Sequence, residues 1–282
     1  MHALLCPPTH FFSKIYYAIN PQMEESQESG VTVDKVLAFH GWMRLAHLLQ
    51  RVRIALRLDI ALHYILPEAD SPDMVFTANA GLPYGGRVAL SHFAHPERQK
   101  EESHFLRYFL HNLGVPVSIS GGRRYFEGQG DALFMGDTLV CGYGFRSEKE
   151  GHLGMFESVR FTGQRQFVRL VDPHFYHLDT CFCPMGKDIL WYPPAFSPEA
   201  QTLINGLAST GHSIVISDED ATRFVANGIY FENAGRRVLI TSPMSGKLRA
   251  RLNDLGIVVW ENDVSEFLKA GGGNKCLVFL FN

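Results

Sequence analysis

Ala132-Leu133-Phe134-Met135-Gly136-Asp137-Thr138-Leu139-Val140-Cys141 reads as two short strands, 132–134 and 138–141, folded back on each other through the Gly136-Asp137 turn. A hairpin this tight cannot belong to a strand–helix–strand crossover, so it speaks against a simple doubly wound sheet. Working outward, further short strands are expected at 61–66, 74–77, 88–91, 115–118, 189–192, 213–216, 229–231, 237–240, 257–260 and 276–281, mostly bounded by Gly, Pro, Asp or Asn. Apolar spacing of the helical kind predicts helices over 33–49, 96–113, 197–207, 218–226, 245–255 and 264–269, with the Glu/Ser-rich 23–30 as a loop. The rhythm is two strands, helix, strand, about five times at roughly 55 residues per unit. An α/β chain built as a cyclic array of small sheets fits that rhythm. No Pro/Gly/Ser-rich linker divides residues 1–282, so one domain is expected.

The bulk numbers narrow the function classes. With 282 residues, 46% hydrophobic and 20% charged, the chain has the composition of a folded domain and not of a disordered one. A net charge of −3 with no long Lys/Arg block leaves nothing to track a phosphate backbone, so nucleic acid is not an expected partner. No apolar run approaches the roughly twenty residues of a spanning helix, and the start of the chain lacks a cationic, secretory-type leader. A cytoplasmic protein is expected, with Cys6, Cys141, Cys181, Cys183 and Cys276 as free thiols. The oligomeric state stays open, a homo-oligomer included.

Three segments carry candidate chemistry. Gly271-Gly272-Gly273-Asn274-Lys275-Cys276 permits a tight turn and close approach of the backbone to a ligand, and it presents a thiol where a loop meets the last strand. A buried small hydrophobe beside a hinge is an equally good reading of that cysteine. Phe175-Tyr176-His177-Leu178-Asp179-Thr180, taken as a strand, places an imidazole and a carboxylate on one face; a purely structural histidine explains it as well. Phe126-Glu127-Gly128-Gln129-Gly130-Asp131 holds two carboxylates around glycines, as turn formers or as acceptors for a cation. His174, His177, Cys181 and Cys183 invite a zinc reading, which is set aside because no second Cys pair of zinc spacing exists; no metal is expected. Arg98 and Arg146 could clamp a carboxylate or be surface charges.

In their order, Phe76-Thr77-Ala78-Asn79, Glu127-Gly128-Gln129-Gly130-Asp131, His177-Leu178-Asp179-Thr180 and Gly271-Gly272-Gly273-Asn274-Lys275-Cys276 resemble the guanidino-group-modifying enzyme superfamily over nearly the whole chain. Within it, Ile19-Asn20-Pro21-Gln22-Met23, Glu97-Arg98-Gln99 and Tyr143-Gly144-Phe145-Arg146-Ser147-Glu148 look most like the arginine dihydrolase domain of cyanobacterial bifunctional enzymes. The resemblance implies a five-bladed α/β propeller of repeating ββαβ units with pseudo-fivefold symmetry. It implies an enzyme without cofactor, taking L-arginine to L-ornithine, carbon dioxide and two ammonias, and lacking the ornithine-processing domain of the bifunctional proteins. The roles it implies are Cys276 as nucleophile, His177 as acid and base, and Glu127 beside it. Asp179 and Glu127 would receive the guanidinium; Asp131, Phe76 and Asn20 would line its pocket, and Arg98 and Arg146 would hold the substrate carboxylate. Deiminases and dimethylarginine hydrolases carry Asp at the position of Asn79, and an amide there can donate to a ureido oxygen that a carboxylate repels. A deiminase or dimethylarginine-type hydrolase that stops at citrulline, and an N-succinylarginine dihydrolase-like activity, are the alternatives.

Overall fold

The Gly136-Asp137 turn joins β6 (Ala132–Met135) to β7 (Thr138–Tyr143), antiparallel with Met135 opposite Thr138. Helix Lys149–Val159 then carries the chain across to β8 (Gln164–Arg169), which pairs parallel to β7. In the computed structural model, which describes residues 1–121 and 124–282, this unit recurs. Strands β3 (Gly81–Tyr84), β4 (Arg87–Leu90) and β5 (Val117–Ser118) form one copy, and β9 (Phe182–Met185), β10 (Asp188–Trp191) and β11 (Ser213–Val215) another. A further copy is β12 (Ile229–Asn233), β13 (Arg236–Thr241) and β14 (Ile257–Glu261). The remaining sheet joins the two ends of the chain: β15 (Phe279–Phe281) lies antiparallel to β1 (His2–Leu5), which runs parallel to β2 (Ala61–Tyr64). The leading strands β3, β6, β9, β12 and β15 start about 50 residues apart, slightly closer than the expected 55.

Several expectations are corrected. Residues 74–77 are not a strand: 3₁₀ turns Pro72–Val75 and Thr77–Ala80 occupy that stretch, and the strand begins at Gly81. Residues 23–30 are not a loop, because Pro21–Glu28 is a helix. The Asn20 side chain accepts from the Met23 N–H at 2.9 Å and Pro21 opens the first turn, so a cap signal outweighs the polar composition. Helix Lys149–Val159 has no counterpart among the expected elements because two glycines lower its propensity; a Cβ on Gly151 would sit 1.9 Å from the Tyr125 carbonyl, so packing demands what propensity disfavours. The last strand is Phe279–Phe281 only, which leaves Cys276 in a turn.

The apolar faces of the helices close on the sheets, with Trp191, Phe182 and Phe196 fully buried in one cluster and Phe11 packed edge-on to Phe76 at 5.9 Å in another. Each such side chain contributes about 1.5–3 kcal/mol of burial. Among the described residues, no helix is long and apolar enough to cross a membrane.

Gly128 ties the fold to the segment that carries Glu127. Its φ is +57°, and an added Cβ would lie 2.6 Å from the Gly81 carbonyl oxygen. Gly128→Ala is expected to lower stability by about 2 kcal/mol or more, read from urea midpoints at unchanged m.

Candidate active site

Short turns just ahead of the leading strands bring the candidate residues together. Thr77–Ala80 precedes β3, Gly128–Gly130 precedes β6 and Leu178–Thr180 precedes β9. Asn227 stands just before β12 and Cys276 just before β15. Equivalent points of a repeat thus converge although they are far apart in the chain.

Glu127 is wholly buried and carries the charge balance. Its Oε1 accepts from the Ala94 N–H at 3.0 Å, while Oε2 accepts from Arg146 at 3.3 Å and meets His177 Nε2 at 2.7 Å. Burial alone would raise this carboxyl, but Arg146 and His177 outweigh it and hold Glu127 well below the usual carboxylate range. Asp131 binds the backbone around the same histidine. It accepts from the Leu178 N–H at 3.0 Å and the Ser147 N–H at 3.2 Å, and its nearer oxygen is 4.0 Å from His177 Nε2. Burial pushes Asp131 up to about 6.

On the other side of the His177–Asp179 segment lies the thiol. Cys276 Sγ is 3.4 Å from Asp179 Oδ2 and accepts from Asn227 Nδ2 at 3.1 Å. Burial first, and then the Asp179 charge, push the Cys276 thiol far above the ordinary thiol range. Asp179 is itself raised to about 6 by burial, and its Oδ1 has no hydrogen-bond partner in the protein. A buried carboxylate with one oxygen free, against a thiol, is a receptor for N–H groups of a cation.

Asn79 completes the wall. Its amide donates to the Glu127 carbonyl at 3.3 Å and its Oδ1 accepts from Arg98 at 2.9 Å, which fixes the amide's orientation. One amide N–H is left over. Both Asn79 and the His177 ring press on Gly130, where a Cβ would meet them at 2.2 and 3.3 Å.

A model of N,N dimethylarginine dimethylhydrolase, eukaryotic, matches residues 8–281. The chain is 34% identical over 274 residues to the N(G),N(G)-dimethylarginine dimethylaminohydrolase of Mycobacterium tuberculosis, covering 96% of this chain and 83% of that protein. The chain belongs to the dimethylarginine dimethylaminohydrolase family. It is also 38% identical over 282 residues to the bifunctional arginine dihydrolase/ornithine cyclodeaminase ArgZ of Synechocystis sp., covering 97% of this chain but 37% of that protein. The crystal structure of the N-terminal domain of ArgZ, a cysteine-to-serine variant bound to substrate, superposes with a TM-score of 0.87 at 36% identity, covering 99% and 97% of the two chains.

Within this family member the anticipated residues do not all sit as expected. His177 to Thr180 is a capped 3₁₀ turn and not a strand, so His177 and Asp179 diverge, one toward Glu127 and the other toward Cys276. The triple glycine approaches protein side chains: Cβ atoms on Gly271, Gly272 and Gly273 would collide with Tyr176, Phe76 and Asn227 at 2.7, 2.1 and 2.7 Å. Asn20 caps a helix and donates to the Ala270 carbonyl at 3.1 Å, which sets it beside this loop. Arg98 turns the two-point edge of its guanidinium to Glu101, at 2.9 and 2.8 Å, and donates also to Asn79 and the Asp73 carbonyl. Four of its five N–H groups are thereby engaged, whereas Arg146, among the described residues, donates to Glu127 and the Ile19 carbonyl. Cys181 and Cys183 are buried against carbonyls, apart from any ligand cluster.

Two residues were not singled out from the sequence. Asp73 is buried, accepts from the Tyr17 hydroxyl at 2.6 Å and leaves Oδ1 unpaired. Asn227 accepts from the Lys275 and Cys276 N–H groups at 2.8 and 3.2 Å and donates to the Asp179 carbonyl at 2.9 Å. The signal for Asn227 was present: Ala226-Asn227-Gly228 repeats the Ala-Asn pair of Ala78-Asn79 at the same point of the unit. Asn227→Ala is expected to cost about 2–3 kcal/mol by stranding buried N–H groups, measured by thermal unfolding, and to lower turnover by displacing Cys276.

Proposed function

We propose that the chain is an arginine dihydrolase, converting L-arginine and two waters to L-ornithine, carbon dioxide and two ammonias. The observation that carries the reading is the buried junction of Cys276, Asp179, the His177–Glu127 pair and an Asn79 amide with a spare N–H. The likeness to the substrate-bound domain of ArgZ supports it. The chain spans 37% of the length of the bifunctional relatives it matches, so only the guanidine chemistry is carried over.

The guanidinium enters with its N–H groups on Asp179 and its carbon over Cys276. In the resting state the thiol keeps its proton, since burial first, and then the Asp179 charge, disfavour an anion there. A cation between them removes that repulsion, and the thiol gives up its proton, which passes to His177, as the thiolate forms. Attack gives a tetrahedral adduct; His177, held by Glu127, protonates the departing ammonia and then takes a proton from water, which displaces the sulfur. The ureido product has a carbonyl oxygen that Asn79 can receive. A second attack by Cys276 expels the second ammonia and leaves a thiocarbamate, whose hydrolysis releases carbon dioxide and ornithine. Arg146, with N–H groups to spare, takes the substrate carboxylate, Arg98 serves chiefly to orient Asn79, and the unpaired oxygen of Asp73 receives the α-ammonium. Phe76, Asn20 and Asp131 shape the pocket.

The second reading, hydrolysis that stops at citrulline or acts on methylated arginine, draws on the matching family model and the Mycobacterium relative. Around this site the five units close, on our reading, into a five-bladed propeller that forms a single domain over 1–282 and works in the cytoplasm without cofactor.

Incubation with guanidino-labelled arginine, followed by mass spectrometry, is expected to yield ornithine with two ammonias per arginine; citrulline as the main product selects the second reading. Asn79→Asp sets a carboxylate where the ureido oxygen and the Glu127 carbonyl need a donor. A change of about 1.5–3 kcal/mol follows, enough to release citrulline at least tenfold more often. Asp179 must be ionised to accept the guanidinium, and its carboxyl is raised to about 6. It follows that kcat/KM rises with pH up to about 6 and levels above it, falling about tenfold per unit below. A profile flat between pH 5 and 7 contradicts that role.

A further inference from the structure

The leading strands run from the site turns to the hairpin turns, and between those hairpins, at Gly85-Gly86, Gly136 and Gly186, opens a cavity of about 880 Å³. It lies at the end of the strands opposite to Asn79, Glu127 and Asp179. Its walls are mostly apolar, from Leu82, Leu133, Phe182, Ile229 and Phe281, with Arg87 and Glu232 also lining it. Its floor is polar: Gln129 and Lys275 line it, and their backbones belong to the turns that hold the site on the other side.

Lys275 is the unusual group. The residue is only 8% exposed, yet its ammonium donates solely to neutral acceptors, Gln129 Oε1 at 3.0 Å and the Val278 carbonyl at 3.3 Å. One N–H remains, and among the described residues no carboxylate lies within ion-pair distance of Nζ. Gln129 has no proton-accepting capacity to spare, because Oε1 also receives the Leu280 N–H at 3.1 Å. The Asp179 carboxylate, on the guanidine side, is the counter-charge of this ammonium but makes no direct ion pair with it, so an anion reaching the ammonium from the cavity would gain a charge-assisted contact there. A cationic ligand is repelled there, and a neutral one leaves the lysine as it stands. Arg87 and Glu232 elsewhere in the lining offset each other and Lys275 is the one cation of the floor, so a single carboxylate with an apolar body matches the lining better than a phosphate or a dicarboxylate.

We infer that this cavity binds an organic monocarboxylate with an apolar body, its carboxylate on Lys275 Nζ and its chain along Leu82, Leu133, Phe182 and Ile229, at a site separate from the guanidine pocket.

Octanoate is the probe, titrated calorimetrically into the whole protein with octylamine as control. Saturable one-to-one binding of octanoate is expected, with octylamine weaker by about tenfold or more. Lys275→Met removes the ammonium and should cost octanoate about tenfold or more. Since that floor is packed, Phe134→Glu gives an independent check: Phe134 lines the cavity and is 40% exposed, so a carboxylate there is tolerated by the fold and repels the ligand. Arg146→Lys, which alters only the guanidine side, should leave octanoate affinity within about twofold. The inference is overturned if octanoate does not saturate, if octylamine binds as well, or if affinity survives both Lys275→Met and Phe134→Glu. It is equally overturned if affinity falls with Arg146→Lys alone, since the carboxylate would then occupy the guanidine pocket.

Discussion

A carboxylate with no access to water, Glu127, sets the terms for everything around it. An isolated buried charge of this kind would neutralise itself or unfold the protein. Here Arg146, His177 and the Ala94 N–H surround it, so it stays ionised and in turn fixes where they point. The imidazole's orientation, the position of Arg146 over the Tyr176 ring at 4.5 Å and the placing of Ser147, whose hydroxyl receives the Glu127 N–H, all follow from it. Removing any one partner leaves charge uncompensated, which makes the cluster rigid as well as reactive.

The same repeat that builds the fold divides its labour. Turns before the leading strands supply the reacting groups, and hairpins after them supply only connection and, between them, the apolar cavity. Residues at equivalent points take different parts: Asn79 an amide toward Glu127, Asp179 a carboxylate toward sulfur, Asn227 a bracket for the Cys276 backbone. The Cys276 thiol and the His177 imidazole belong to different repeats, linked through the Leu178–Thr180 turn, where His177 meets Glu127 and Asp179 meets the sulfur. Lys275 stands at the boundary between the two ends, next to Cys276 in the chain but with its side chain on the far side.

Burial and electrostatics also hold the Cys276 thiol in its protonated form. Burial and Asp179 both favour the protonated thiol, so a free thiolate is not exposed to oxidants or stray electrophiles. On the proposed function, the cation that lowers this barrier is the guanidinium of the substrate. Asp179, raised toward 6 by burial, is poised to lose its proton to solvent and gain a cation over the same pH range.

The sequence by itself determined the alternation of hairpin and helix, because turn chemistry at Gly136-Asp137 and strand length are local properties. It also singled out Cys276, His177, Asp179, Glu127, Asn79, Arg98 and Arg146 as candidates, whose roles came from the family resemblance of their segments and not from residue type alone. The Pro21–Glu28 helix was legible in its Asn-Pro cap but hidden by its polar composition, and helix Lys149–Val159 was masked by glycines whose reason is the Tyr125 carbonyl. What only the tertiary structure decided is partnership. Nothing local says that Arg98 spends its fork on Glu101, that the triple glycine makes room for Phe76, Tyr176 and Asn227, or that Lys275 faces away from Cys276. Hydrogen bonds and steric contacts join residues 250 positions apart, as Asn20 and Ala270 are, and such distances carry no signature in local spacing.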